Sequence, residues 1–102
     1  MPYRVEMSDE ANFDFKSYIT YILLECDAPL TAIKHYAGIT DALKSLERNP
    51  FINSVKDSVV LQQYGMNVRR ENYKKMAIIY TIHENVVYIH RILAGSLITG
   101  LN

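Results

Sequence analysis

Two runs of β-branched and aromatic residues constrain the fold of this chain most. They are Met76–Ile82 and Val86–Leu93, and the polar break His83-Glu84-Asn85 separates them. Runs of this kind around a short polar break predict a β-hairpin. Because both runs are almost continuously apolar, we expect them to be central strands that are buried on both faces of a sheet. The rest of the chain must then supply the layers that cover this sheet.

The N-terminal half of the chain predicts one strand and two helices. Apolar and polar residues alternate over Tyr3–Met7, which is typical of a half-buried strand at or near a sheet edge. Apolar residues at spacings of three and four predict helices over Glu10–Glu25 and from Leu30 to Arg48. Pro50 ends the second helix, and the short connection between the helices makes them antiparallel neighbours. The predicted buried stripe of the second helix consists of Ala32, Ile33, Tyr36, Ile39, Leu43 and Leu46.

The segment between the helices and the hairpin gives weaker signals. We expect a loop over Phe51–Asp57, with Phe51 and Ile52 tucked under the core. Ser58–Tyr64 is compatible with the start of a strand or with a helical turn, and Met66–Glu71 predicts a strand. The order β-α-α-β-β-β predicts one α+β domain over residues 1–102, in which a helical hairpin packs on an antiparallel sheet.

Composition and charge exclude several classes of function. The chain has 102 residues, and 11 basic residues balance 11 acidic ones, so no basic excess indicates nucleic-acid binding. A single cysteine favours a reducing compartment, and neither a signal peptide nor a run of about 20 apolar residues is present. Three scattered histidines without paired cysteines give no metal-ligand set, and no glycine-rich phosphate loop occurs. We therefore expect a cytoplasmic protein that has no cofactor, no metal and no membrane contact.

The order and spacing of several short motifs along nearly the whole chain resemble the RelE/ParE superfamily of toxins, also called plasmid-stabilisation proteins. The motifs are Tyr3-Arg4-Val5, Ser8 to Ala11, Tyr18-Ile19 with Tyr21-Ile22, Leu46 to Pro50, Gly65, Asn72-Tyr73-Lys74, Ile78-Ile79-Tyr80 and Val87 to Gly95. The resemblance implies the toxin of a type II toxin–antitoxin module, held in a hetero-oligomer by its cognate antitoxin. Some relatives cleave mRNA on the ribosome, and others poison DNA gyrase without nuclease activity.

Basic residues at the ends of the predicted hairpin are the candidates for a toxic site. A metal-free ribonuclease must activate a 2′-hydroxyl, stabilise a phosphorane and protonate a leaving oxygen. For these tasks we predict Arg70, Lys74 and His90 as catalytic residues. The candidates for RNA or target binding are Arg69, Tyr73, Lys75 and Arg91. The alternative is that the charges are solvated strand ends and that His90 is a hydrogen-bonded structural residue.

Two further observations bear on this site. Strand alternation separates His90 from Arg91, so we expect only one of them on any given face. Many relatives carry an aromatic residue or histidine, then glycine and arginines, where this chain has Ala94-Gly95-Ser96-Leu97. Three hypotheses follow: a ribosome-dependent ribonuclease, a non-enzymatic toxin that targets gyrase, and a non-toxic homologue that only binds antitoxin.

Overall fold

The structure is a computed structural model that describes residues 3–98. Its main elements are β1 (Arg4–Met7), α1 (Asp9–Thr20), α2 (Pro29–Arg48), β2 (Arg69–Tyr73), β3 (Met76–His83) and β4 (Val86–Ala94). The predicted α+β fold and the predicted order of elements are confirmed.

The four strands form one sheet in the order β1-β4-β3-β2. The pairs β2–β3 and β3–β4 are antiparallel, but β1 pairs with β4 in parallel, from Arg4 opposite Val86 to Met7 opposite Ile89. The sheet is therefore mixed, whereas the sequence predicted an antiparallel one. The reason is topological: the helical hairpin carries the chain across the sheet to β2 at the far edge. The two tight turns that follow bring β4 back beside β1 in the same direction.

Strand β3 is buried on both faces, as its apolar run predicted. One face packs against the helices, in a cluster that comprises Ala11, Ile39, Leu46, Met76, Ile78, Tyr80, Val87, Ile89 and Ile92. The other face, called here the far face, carries a second cluster of Leu61, Val68, Ala77, Ile79 and Ile98. Alternate side chains of β3 thus contribute to two apolar layers, one on each face of the sheet.

The helical hairpin packs on the sheet mainly through the start of α1 and the second half of α2, which contribute Ala11, Ile39 and Leu46 to the helix-side cluster. Helix α1 is capped by Ser8, whose hydroxyl oxygen accepts from the backbone N–H of Ala11 at 2.9 Å, and it continues into a π-helical turn, Tyr21–Glu25. The predicted buried stripe of α2 is wrong near the tip of the hairpin, where Ile33 and Tyr36 are 65% and 55% exposed. These two residues lie in the part of α2 that precedes Ile39, the first residue of α2 that packs in the helix-side cluster.

The segment between α2 and β2 departs from its prediction in two places. Phe51 and Ile52 are exposed in a short 3₁₀ turn, and Pro50 is the buried residue of this turn. The carbonyl of Pro50 accepts a hydrogen bond from the Tyr80 hydroxyl at 2.7 Å. Leu61–Tyr64 forms a 3₁₀ turn, which is the helical alternative. The next strand starts at Arg69 and not at residue 66, since Asn67 has a φ of 59° that interrupts extended backbone.

Candidate functional site

Two predicted site residues lie in one row on the far face of the sheet. Arg70 on β2 and Arg91 on β4 both stand opposite Ile79 on β3, so two strand spacings of together about 10 Å separate their backbones. Arg91 donates to the Asp14 carboxylate from Nε at 2.7 Å and from Nη2 at 3.0 Å. This bidentate pair raises the pKa of Arg91, and it neutralises the charge of Arg91 within the fold.

Arg70 is held differently, and within residues 3–98 its charge is not compensated. Its Nε donates to the side-chain oxygen of Asn72 at 2.7 Å, and its guanidinium lies against Gly95. An added Cβ on Gly95 would lie 2.8 Å from Nη2 of Arg70, so the glycine makes room for this contact. Among residues 3–98, no carboxylate lies within ion-pair distance of Arg70. Arg70 is therefore the arginine of this row that can attract an anionic group.

His90 is the extra residue of a β-bulge in β4. Ile79 pairs with Arg91 while Tyr80 pairs with Ile89, so the alternation of side chains is broken at His90. The expectation that His90 and Arg91 face opposite ways is wrong, because the side chain of His90 also reaches the far face. There its Nε2 lies 2.7 Å from the hydroxyl oxygen of Thr81. Burial, with a further contribution from His83, lowers the pKa of His90 below its usual 6.5.

The residues of the β2–β3 turn lie near α2. Lys74 has a φ of 52°, and its Nζ is 5.8 Å from the centre of the Tyr73 ring. The Tyr73 ring packs on Gly38 of α2, and its centre lies 5.6 Å from that of His35 in an edge-on contact. Lys75 is exposed. These contacts place Tyr73 and Lys74 beside the helical hairpin, away from the Arg70–Arg91 row.

Arg69 belongs to the helix side of the sheet. It stands opposite Tyr80, donates to the backbone carbonyl of Asn53, and lies 5.0 Å from the centre of the Phe51 ring. These contacts fix the segment that follows α2. The structure therefore brings Arg70, His90 and Arg91 to one face, and it leaves Arg69, Tyr73 and Lys74 elsewhere.

The sequence-based predictions missed an apolar surface on the helical hairpin, called here the hairpin surface. It consists of the exposed side chains of Phe13, Tyr21, Leu24, Leu30, Ile33 and Tyr36. A pocket of about 350 Å³ between Phe15, Ile19 and Tyr36 adjoins it. The signal was present in the sequence, because the predicted helix Glu10–Glu25 carries more large apolar residues than one buried stripe requires.

A polar link that the sequence did not reveal joins the two helices. The Tyr18 hydroxyl and Nδ1 of His35 are 2.7 Å apart, and the rings of Phe15 and Tyr36 stack at 5.1 Å beside them. Burial, helped by the nearby Lys74 ammonium, lowers the pKa of His35. The link keeps the hairpin surface in a fixed shape although much of it lies outside the core.

Between residues 3 and 98, no group of three or more histidine, cysteine, aspartate or glutamate side chains is arranged to hold a metal ion. In the same part of the chain, neither helix has the length and apolar character needed to cross a bilayer.

Comparison with known proteins decides the family. The profile of the family described as "ParE toxin of type II toxin-antitoxin system, parDE" matches residues 5–97. This chain belongs to the ParE toxin family. A search of curated proteins found no match. A solved structure titled "Chromosomal ParDE TA system from P. aeruginosa" is similar at a TM-score of 0.69 and 19% identity, and the match covers 90% of this chain and 95% of the other.

The family assignment confirms the resemblance drawn from the motifs, and it makes the chain a toxin of the ParE family. The likeness to the Pseudomonas structure extends to the fold. The positions of the individual candidate residues are those seen in the structure of this ParE-family toxin itself.

Proposed function

We propose that this ParE-family toxin acts without catalysis, by binding and inhibiting DNA gyrase. One observation carries the proposal: Arg70 and His90 share the far face but lie on different strands with different hydrogen-bond partners, and Lys74 lies away from that face. Arg70 is on the far face beside Asn72, Lys74 is in a turn near α2, and the Nε2 atom of His90 contacts Thr81. A ribonuclease needs its base, its acid and its phosphate-binding cation around one reacting phosphate.

The far face offers little else to a phosphate. Arg91 already pairs with Asp14, and the second apolar cluster with Leu61 and Val68 covers part of this face. Arg70 thus remains the one predicted catalytic cation on this face, and a single arginine cannot also activate the nucleophile. The geometry supports the gyrase hypothesis and speaks against mRNA cleavage.

The hairpin surface is suited to binding proteins. Large apolar side chains that project from a rigid helical pair are typical of docking surfaces. Leu30 and Phe13 are 81% and 71% exposed there. We propose that the cognate antitoxin covers this surface in a hetero-oligomer in the cytoplasm, and so keeps the toxin inactive.

The target is tested with the full chain. Induced expression is expected to arrest growth with intact mRNA and an induced DNA-damage response. The purified toxin is expected to inhibit the supercoiling of relaxed plasmid by gyrase. Arrest with freshly cut messages would overturn the proposal in favour of the ribonuclease, with R70A and H90A as the first variants to test. Normal growth with accumulated folded protein would leave the homologue that only binds antitoxin.

The antitoxin surface is tested separately with a matched pair of variants. Leu30→Asp places a charge on the hairpin surface, and Val59→Asp places one at a residue that is 86% exposed in the segment over the far face. Co-purification with the cognate antitoxin should fail for Leu30→Asp and persist for Val59→Asp. Equal capture of both variants would place the antitoxin elsewhere.

A further inference from the structure

A hydroxyl group joins two histidines on the far face. The Oγ1 atom of Thr81 lies 2.8 Å from Nε2 of His83 and 2.7 Å from Nε2 of His90. Thr81 is buried, His90 is half-buried and His83 is exposed at the end of β3. The proposed function uses neither the Thr81 hydroxyl nor His83.

The hydrogen count of this arrangement restricts its protonation states. The Thr81 hydroxyl has one proton to donate, so it can donate to only one of the two Nε2 atoms. The other Nε2 must carry a proton and donate to the hydroxyl oxygen. When His83 is a cation it donates to Thr81, and Thr81 donates to neutral His90, so all three groups are satisfied.

A second proton breaks this arrangement. A cationic His90 would present an N–H to the hydroxyl proton, and the buried hydroxyl would need another acceptor. Two cations would then contact the same oxygen atom, and like charges this close repel each other. We propose that His83, Thr81 and His90 form a proton-responsive relay in which a charge on His83 opposes the protonation of His90.

The groups that face His90 from other elements do not cancel this effect. Glu10 of α1 favours the charged form, but burial and His83 outweigh it. The rings of Tyr64 and Tyr88 lie 5.7 Å and 4.8 Å from the His90 ring, measured between centres. The adjacent Arg91 is neutralised by Asp14.

The relay controls the contact of a covering segment with the sheet. The Tyr64 ring packs on His90, and Leu61 of the same turn belongs to the second apolar cluster. The second protonation breaks the hydrogen bond from Thr81 that holds the His90 ring, so it changes the contact of this ring with Tyr64. Acidification acts on this turn through His90, independently of the gyrase hypothesis.

The experiment is a histidine NMR titration of the full chain, whose three histidines are assigned from the variants H35Q, H83Q and H90Q. In H83Q the pKa of His90 is expected to rise, since the coulombic effect of His83 on His90 is removed. The matched control H35Q removes a distant imidazole and should leave the His90 titration unchanged. An unchanged pKa of His90 in H83Q would overturn the relay.

Amide hydrogen exchange tests the effect on the covering turn. After correction for the intrinsic pH dependence of exchange, the protection of the amides of residues 61–64 is expected to change over the pH range in which His90 titrates, and to do so at higher pH in H83Q. Exchange in this turn that does not follow the titration of His90 would overturn the link between the relay and the far face.

Discussion

Gly38 of α2 is the position where a single methyl group tests the packing of the helices on the sheet. An added Cβ would lie 2.2 Å from Cε1 and Cζ of Tyr73 and 2.3 Å from its hydroxyl oxygen. The ring cannot move without losing its edge-on contact with His35. Overpacking of this kind costs about 1 to 3 kcal/mol. The gain in helix propensity from Gly38→Ala returns about 1 kcal/mol, so the net loss of unfolding free energy is about 0 to 2 kcal/mol.

The effect of the clash between the new Cβ and the Tyr73 ring can be separated from the helix-propensity effect in a variant that lacks this ring. A leucine at position 73 lacks the ring atoms that meet the new Cβ. In Tyr73→Leu, the change Gly38→Ala should therefore stabilise the protein by about 1 kcal/mol. Urea unfolding of the four proteins, followed by far-ultraviolet circular dichroism, gives the coupling energy, which is expected to be about 1 to 3 kcal/mol. An equal effect of Gly38→Ala in both backgrounds would refute the proposed contact between Gly38 and the Tyr73 ring.

Two further predictions concern charged and titratable groups. Asp14→Ala leaves the guanidinium of Arg91 and a backbone N–H without their acceptor, and should lower the unfolding free energy by about 2 to 3 kcal/mol in urea titrations. Its control, Glu6→Ala, removes an exposed ion pair and should cost less than about 1 kcal/mol; equal losses would contradict the argument. Burial lowers the pKa values of His35 and His90 below 6.5, so the unfolded chain binds more protons just below that pH. The stability that these two histidines contribute is complete above pH 6.5, and it is lost as the pH falls through 6.5 toward their folded pKa values. Thermal unfolding at pH 7.5 and at pH 5.5 should show this loss in the wild type. The variant in which both His35 and His90 are glutamine should not show it.

The order of the elements was predictable because each has a strong local signal. The apolar run of β3 fixes a strand that is buried on both faces, and Pro50 fixes the end of α2. The parallel pairing of β1 was not predictable in this way, because it depends on where the helical hairpin returns the chain. A short alternating strand carries the same pattern in either direction.

The candidate site was harder to predict because it depends on registers and faces. One β-bulge places the side chain of His90 on the same face as that of Arg91. No residue type in β4 predicts a bulge at this position. Arg69 and Arg70 are neighbours in sequence, yet the pleat sends them to opposite faces. The carboxylate that neutralises Arg91 comes from α1, 77 residues away, so its presence could not be inferred from local spacing.

The pairing of β1 with β4 sets the order in which this toxin can be made. Ser8, which directly follows β1, is hydrogen-bonded to the carbonyl of His90, 82 residues later. During synthesis β1 leaves the ribosome before the other strands and has no partner strand until β4 follows. The four strands can therefore form one sheet only after both helices and the other two strands have emerged. A nascent chain that stops before β4 lacks one of the two strands that pair with β3. The four-stranded sheet is consequently complete only late in synthesis.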